Sequence, residues 1–241
     1  MPLEHLPPWE SYAEDLDAVL DQVGAERTAV MAAYDAGPMA MFFAATRPQR
    51  TSALILANTT ARWVAADDYP IGIPREVAEA LIAGVEQAWG TDALVAMHVP
   101  SRAADQRFCR WFAKLQRTIA SPSVVEAFLH AMLEVDARSL LPLIQAPTLV
   151  LHRSGLQALP IQHGRWLADH IAGAKFIELP GADVPLMWET PEHVLDVVEE
   201  FLTGVRRTAA PTRVLATVLF TDLSAPPSGS GSWATGAGAG C

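Results

Sequence analysis

Cysteine is nearly absent from this chain. Only Cys109 and Cys241 occur in 241 residues, too few and too far apart for a disulfide framework, and neither belongs to a C-x-x-C pair of the kind that holds zinc. A reducing compartment is therefore expected. Positive charge is scarce as well: 17 Lys and Arg stand against 27 Asp and Glu, a formal net charge of −10, with no basic stripe. That balance argues against nucleic acid as a partner, because phosphate binding needs clustered cations that displace counterions. Also missing is an uninterrupted apolar run of the roughly 18 residues a membrane-spanning helix takes. The opening MPLEHLPPWESYAEDL has no basic region ahead of an apolar one, unlike a signal peptide. The expectation is a cytoplasmic protein with no membrane partner, no metal and no cofactor.

What is present is a chain rich enough in apolar residues, 51% against 18% charged, to bury one substantial core. Trp9 to Val23 has helical spacing of Tyr12, Leu16, Val19, Leu20 and Val23, and Gly24 ends it. Thr28 to Ala33 reads as a buried strand. Gly37 to Thr46 is a helix that is small or apolar nearly all round, stopped near Pro48, and Ser52 to Ala57 is a second apolar strand. From about 63 to 143 helical patterning broken by Pro70, Pro74, Pro100 and Pro122 suggests a helical cap insertion, whose Trp63, Trp89, Trp111 and Phe112 are suited to covering a pocket. A strand from Thr148, a helix over Gln162 to Ile171, a strand at Lys175 to Pro180 and a helix from Pro191 to Val205 follow. Alternating strands and helices predict an α/β fold with a parallel sheet covered on both faces. Residues 1–205 are expected to form this domain, 206–213 a linker, 214–223 one more strand and 224–241, rich in Gly, Ser and Ala, a disordered tail.

The turn between the first strand and the buried helix, Ala33-Tyr34-Asp35-Ala36-Gly37, resembles the nucleophile elbow G-x-S-x-G of α/β-hydrolases, which presents one strained residue on a strand-to-helix turn. The order of elements from Trp9 to Val205 resembles the C-terminal part of that family. The resemblance implies that Asp35 occupies the nucleophile position, with Tyr34 and Ala36 beside it at a pocket. A carboxylate nucleophile serves haloalkane dehalogenases and epoxide hydrolases of the same fold, since it is already ionised at neutral pH, but the second step needs a His base oriented by an acid. Where the family carries H-R-x-G-D this chain reads His152-Arg153-Ser154-Gly155-Leu156, and where it carries L-P-G-x-D-H it reads Leu179-Pro180-Gly181-Ala182-Asp183-Val184. The acid and base positions thus hold Leu156 and Val184, a degenerate triad. His130, in the cap, is the one candidate for a replacement base, while His152 is expected to bond backbone and Asp183 to be a solvated turn residue. Only 27 residues precede the elbow strand, whereas the complete fold has about four strands there, including the loop of the oxyanion hole. A truncated α/β-hydrolase fold is expected.

Residues 213–223, RVLATVLFTDL, resemble the opening strand of class III adenylate and guanylate cyclases, with Asp222 at a metal-binding position. No second carboxylate follows, so neither a metal site nor cyclase activity is expected. The pairing resembles actinobacterial hydrolase–cyclase fusions. The resulting expectation is a catalytically inactive domain that binds a small apolar ligand beneath its cap or plays a regulatory part. The alternatives are an active epoxide, haloalkane or ester hydrolase using Asp35, and a nonfunctional gene remnant. Loss of the strands before the elbow also predicts self-association through an exposed sheet edge.

Overall fold

The computed structural model describes residues 8–205. The linker, the cyclase-like strand with Asp222 and the tail fall outside the described residues.

Helix α1 (Trp9–Gln22) leads into β1 (Thr28–Ala33), a 3-10 turn (Tyr34–Ala36), α2 (Gly37–Thr46) and β2 (Thr51–Ala57). The cap contributes α3 (Arg75–Ala83), α4 (Val85–Ala88), α5 (Val95–His98), α6 (Gln106–Ile119) and α7 (Pro122–Leu133). The chain returns through a 3-10 segment (Arg138–Leu143) to β3 (Thr148–Arg153), α8 (Gln162–His170), β4 (Lys175–Leu179) and α9 (Pro191–Thr203). All strands pair in parallel, in the order β1-β2-β3-β4.

The apolar strands follow from this arrangement, since β2 and β3 have neighbours on both edges and helices on both faces. Leu54, Leu56 and Val150 pack with Met41 and Ala44 of α2 and Leu167 of α8 on one face. Ile55, Leu149, Leu151 and Leu179 pack with Val194 of α9 on the other. At ~25 cal/mol per Å² of apolar surface, burying each such side chain contributes on the order of 2 kcal/mol, and these two layers hold the sheet together. Helix α1 covers β1 on the α2 side, through Ala13, Leu20, Phe43 and Val30.

The cap leaves and re-enters at a narrow neck. Arg62 and Asp136 form an antiparallel bridge and an ion pair of 2.6 Å, and Arg138 joins both Asp136 (2.8 Å) and Asp68 (2.6 Å). Those charges hold the Asp136 carboxyl well below its usual range, the Arg138 hydrogen bond first among the causes. Among the described residues no helix is long and apolar enough to cross a membrane.

Candidate functional site

The strand-to-helix turn after β1 is sharp, and its strain falls one residue earlier than the sequence reading puts it. Tyr34 has φ +52°, in the left-handed region that a bulky residue seldom adopts, and Asp35 is not among the positive-φ residues. The elbow apex is therefore Tyr34, flanked by Ala32 and Ala36 where a G-x-S-x-G elbow has glycines. Gly37 then begins α2 so close to the end of β2 that a Cβ on it would collide with the Thr59 side chain. Thr59 Oγ1 donates to the Tyr34 carbonyl at 2.6 Å and ties the turn down.

Tyr34 is half-buried and aims its ring at the cap. The ring meets Trp63 edge-on at 5.2 Å and His98 of α5 edge-on at 6.2 Å. Burial, with a smaller contribution from the Asp35 charge, raises the phenol above its ordinary value, so it stays protonated. Asp35 makes no ion pair or side-chain hydrogen bond with a described residue, and burial pushes its carboxyl up to about 6. His98 Nδ1–H donates to the Leu94 carbonyl at 3.0 Å, and burial lowers the ring's pKa.

The loops after β3 and β4 are packed with apolar and backbone contacts. Leu156 is buried at 3% exposure. Val184 N–H donates to the His98 carbonyl at 2.7 Å, and its own carbonyl accepts from Asn58 Nδ2 at 3.0 Å. Asn58, at φ +46°, also accepts the Arg153 N–H at 2.9 Å through Oδ1, so one side chain ties the end of β3 to the loop after β4.

Three further sequence expectations need correction. Asp183 is fully buried rather than solvated: it accepts the Ser101 N–H at 3.0 Å and the Ser101 hydroxyl at 2.5 Å, pinning the cap to the loop after β4. Helix α7 leaves His130 exposed to solvent in its last turn, so it cannot serve as a buried replacement base. Trp111 is exposed and joins Phe108 and Trp188 in a surface aromatic group, and Trp89 bonds the Ala120 carbonyl at 2.8 Å; of the cap aromatics expected over a pocket, only Trp63 reaches Tyr34. His152 bonds backbone as expected, to the Leu159 carbonyl at 2.9 Å.

Sequence reasoning missed His98 and a buried polar knot in which Thr60, Tyr69 and His163 Nδ1 lie 2.9 Å from one another. No spacing signal marks either, because their partners come from segments 9 to 103 residues apart. Asn58 had a local signal, as an Asn closing an apolar strand tolerates the left-handed region. Among the described residues no group of His, Cys, Asp and Glu could hold a metal ion.

A parallel sheet, a strained strand-to-helix turn after β1, a helical cap after β2 and loops converging from β3 and β4 define an α/β-hydrolase fold. The comparisons with known proteins agree. The chain is 25% identical over 199 residues to a pimeloyl-[acyl-carrier protein] methyl ester esterase of Neisseria meningitidis, covering 79% of this chain and 77% of that one. It is 28% identical over 201 residues to the protein of the same name in Chromobacterium violaceum, covering 78% and 77%. Among solved structures, a hydrolase from Pseudomonas aeruginosa PA01 superposes with a TM-score of 0.65 at 24% identity, over 83% of this chain and 75% of that one. A bromoperoxidase from Bacillus anthracis reaches 0.70 at 18% identity, over 82% and 76%. No protein-family model matches the chain.

Proposed function

We propose that this α/β-hydrolase-type domain is not a catalyst and that it acts through association or regulation. The observation that carries the reading is Tyr34 at the strained apex. A phenol that burial keeps protonated, set between Trp63 and His98 with no described base hydrogen-bonded to its hydroxyl, is not an activated nucleophile. Leu156 and Val184 support the same reading, because neither side chain can accept or relay a proton. The cyclase-like stretch at 214–223 suggests the regulatory half of a fused arrangement.

The relatives named as methyl ester esterases suggest the opposite, and Asp35, the half-buried carboxyl next to the apex, is the candidate group for such an activity. The distinguishing experiment is steady-state hydrolysis of methyl and short-chain aryl esters by the purified chain and its Asp35→Ala variant. The expected rate is that of the buffer for both. Turnover by the parent chain that disappears in Asp35→Ala would overturn the proposal.

A ligand-binding role beneath the cap has one observation in its favour. The Trp63 indole N–H is buried and has no hydrogen-bond partner among the described residues, so a small apolar molecule bearing a single acceptor would satisfy it. Thermal unfolding in the presence of short-chain ketones and lactones tests this, the expected signature being a rise in Tm that Trp63→Phe removes.

A further inference from the structure

Helix α6 concentrates positive charge in a chain whose overall balance is −10. From Arg102 to Ile119 stand five cations and a single carboxylate, Asp105. Aromatic residues separate the cations in the sequence, but the helix gathers Arg107, Arg110, Lys114 and Arg117, at i, i+3, i+7 and i+10, into one exposed ridge. Trp111, Leu115 and Ile119, at i, i+4 and i+8, form a second ridge beside it, with Trp111 47% and Ile119 65% exposed. Phe108 broadens this apolar side, its ring 5.4 Å from Trp111 and 5.5 Å from Trp188. Trp188, 41% exposed, belongs to the loop between β4 and α9, so the face spans the cap and that loop. The carboxylates next to it in sequence are engaged. Asp105 caps α6 by accepting the Arg107 and Phe108 N–H groups at 2.9 and 3.0 Å, and Glu189 pairs at 3.1 Å with buried Arg153. Arg110 and Lys114 form no ion pair with a described residue, and the Arg102 guanidinium lies over the Phe108 ring at 5.6 Å.

We propose that this face docks on an anionic lipid bilayer, with α6 lying parallel to the surface. The cationic ridge meets the phosphate headgroups, and the adjoining ridge with Phe108 and Trp188 enters the boundary between headgroups and acyl chains. Indole rings suit that depth, being apolar in body and polar at the N–H. A soluble polyanion would satisfy the cations but leave Trp111, Ile119 and Trp188 in water; an anionic bilayer receives both kinds of group. The overall charge, from which no membrane partner is expected, does not decide the matter. At an ionic strength of 0.1 M the field of a charge is screened over about 10 Å, so the groups that touch the surface dominate. The acidic remainder of the chain is repelled, which selects this one orientation. The docking stands on the surface of the cap and holds whether or not the site beneath it catalyses.

Co-flotation of the full chain with phosphatidylcholine vesicles, with and without phosphatidylglycerol, tests the proposal. The chain should float with the anionic vesicles, stay behind with the neutral ones, and be released as NaCl is raised to about 0.5 M. Arg110→Glu/Lys114→Glu should weaken binding about a hundredfold. Arg165→Glu/Lys175→Glu makes the same charge change at exposed positions of α8 and β4 and should have little effect. Trp111→Ala/Trp188→Ala keeps every cation and should weaken binding about tenfold. Circular dichroism and thermal unfolding of each variant should match the parent, since all six positions are exposed. Three results would each overturn the proposal. The parent chain could fail to bind anionic vesicles, or the α8 and β4 variant could lose as much affinity as the α6 variant. Polyglutamate or single-stranded DNA could bind as tightly as the vesicles and be indifferent to the Trp substitutions, which would assign the face to an acidic macromolecule instead.

Discussion

At the scale of single residues, burial disfavours the charged form of two titratable groups in opposite senses, Asp35 beside the apex and His163 in the polar knot. Burial pushes Asp35 up to about 6 from 3.8. An acid raised in the fold contributes stability at low pH that is lost as pH rises through the folded value, so at pH 8 the Asp35 charge weakens the fold. Asp35→Asn should then stabilise the protein by about 1–3 kcal/mol at pH 8 and by little at pH 4, read from thermal or urea unfolding at both pH values. His163 titrates in the opposite sense. Burial, with a smaller effect of His152, pushes it down to about 4 from 6.5. Its contribution is complete above 6.5 and is lost as pH falls through 4. The two effects overlap and offset in the parent chain. In Asp35→Asn the loss on acidification is no longer offset: His163 contributes about 2–3 kcal/mol of it between pH 7 and pH 4, His98 and His152 add in the same sense, and the loss should shrink when His163→Gln is added. The identity of the apex was not legible in the sequence, because alanines stand where the elbow's glycines would fix its register. Only the backbone angle of Tyr34 distinguishes it from Asp35.

At the scale of elements, what was legible was whatever repeats locally. The apolar runs at β2 and β3 and the small-residue helix α2 state their burial in their composition, and the structure buries them, whereas β1, expected as a buried strand, leaves Ala29, Met31 and Ala33 exposed because no described strand or helix covers that side. The attachment of the cap was not legible, since it depends on single contacts between distant segments. The Ser101–Asp183 bonds join residues 82 apart, and nothing in either neighbourhood announces the other. Buried and doubly bonded, Asp183 is the pin of this latch. Asp183→Ala should cost about 1–3 kcal/mol by removing the buried carboxylate and both of its bonds to Ser101. It should also speed hydrogen exchange at the Ser101 and Val184 amides ahead of those in β3, a pattern that separates a loosened cap from global unfolding. Uniform acceleration across both would show that the cap is not held at this point.

At the scale of the whole molecule, the described sheet begins at the elbow strand, and the chain covers about three quarters of the solved structures it matches. The fold was legible from the order of elements alone. The candidate site was legible only in part: the apolar Leu156 and Val184 stand in the text, whereas the edge-on contacts of Tyr34 with Trp63 and His98 required coordinates. On the proposed reading, placing an acid and a base at these two positions should not make a catalyst. Leu156→Asp with Val184→His is expected to leave ester hydrolysis at the background rate, because the apex is still a buried phenol; measurable turnover in that double variant would show that the rings leave room for substrate. The most direct measurement concerns the first chemical step. A carboxylate attacking an epoxide or a haloalkane needs no base, and without a base the resulting ester would not be hydrolysed but would accumulate. Intact-protein mass spectrometry after incubation with 1,2-epoxyhexane or 1-bromobutane reads that ester directly, with peptide mapping to locate it. The expected result is an unchanged mass at Asp35. A stoichiometric adduct on Asp35, absent in Asp35→Asn, would contradict the proposal of a non-catalytic site.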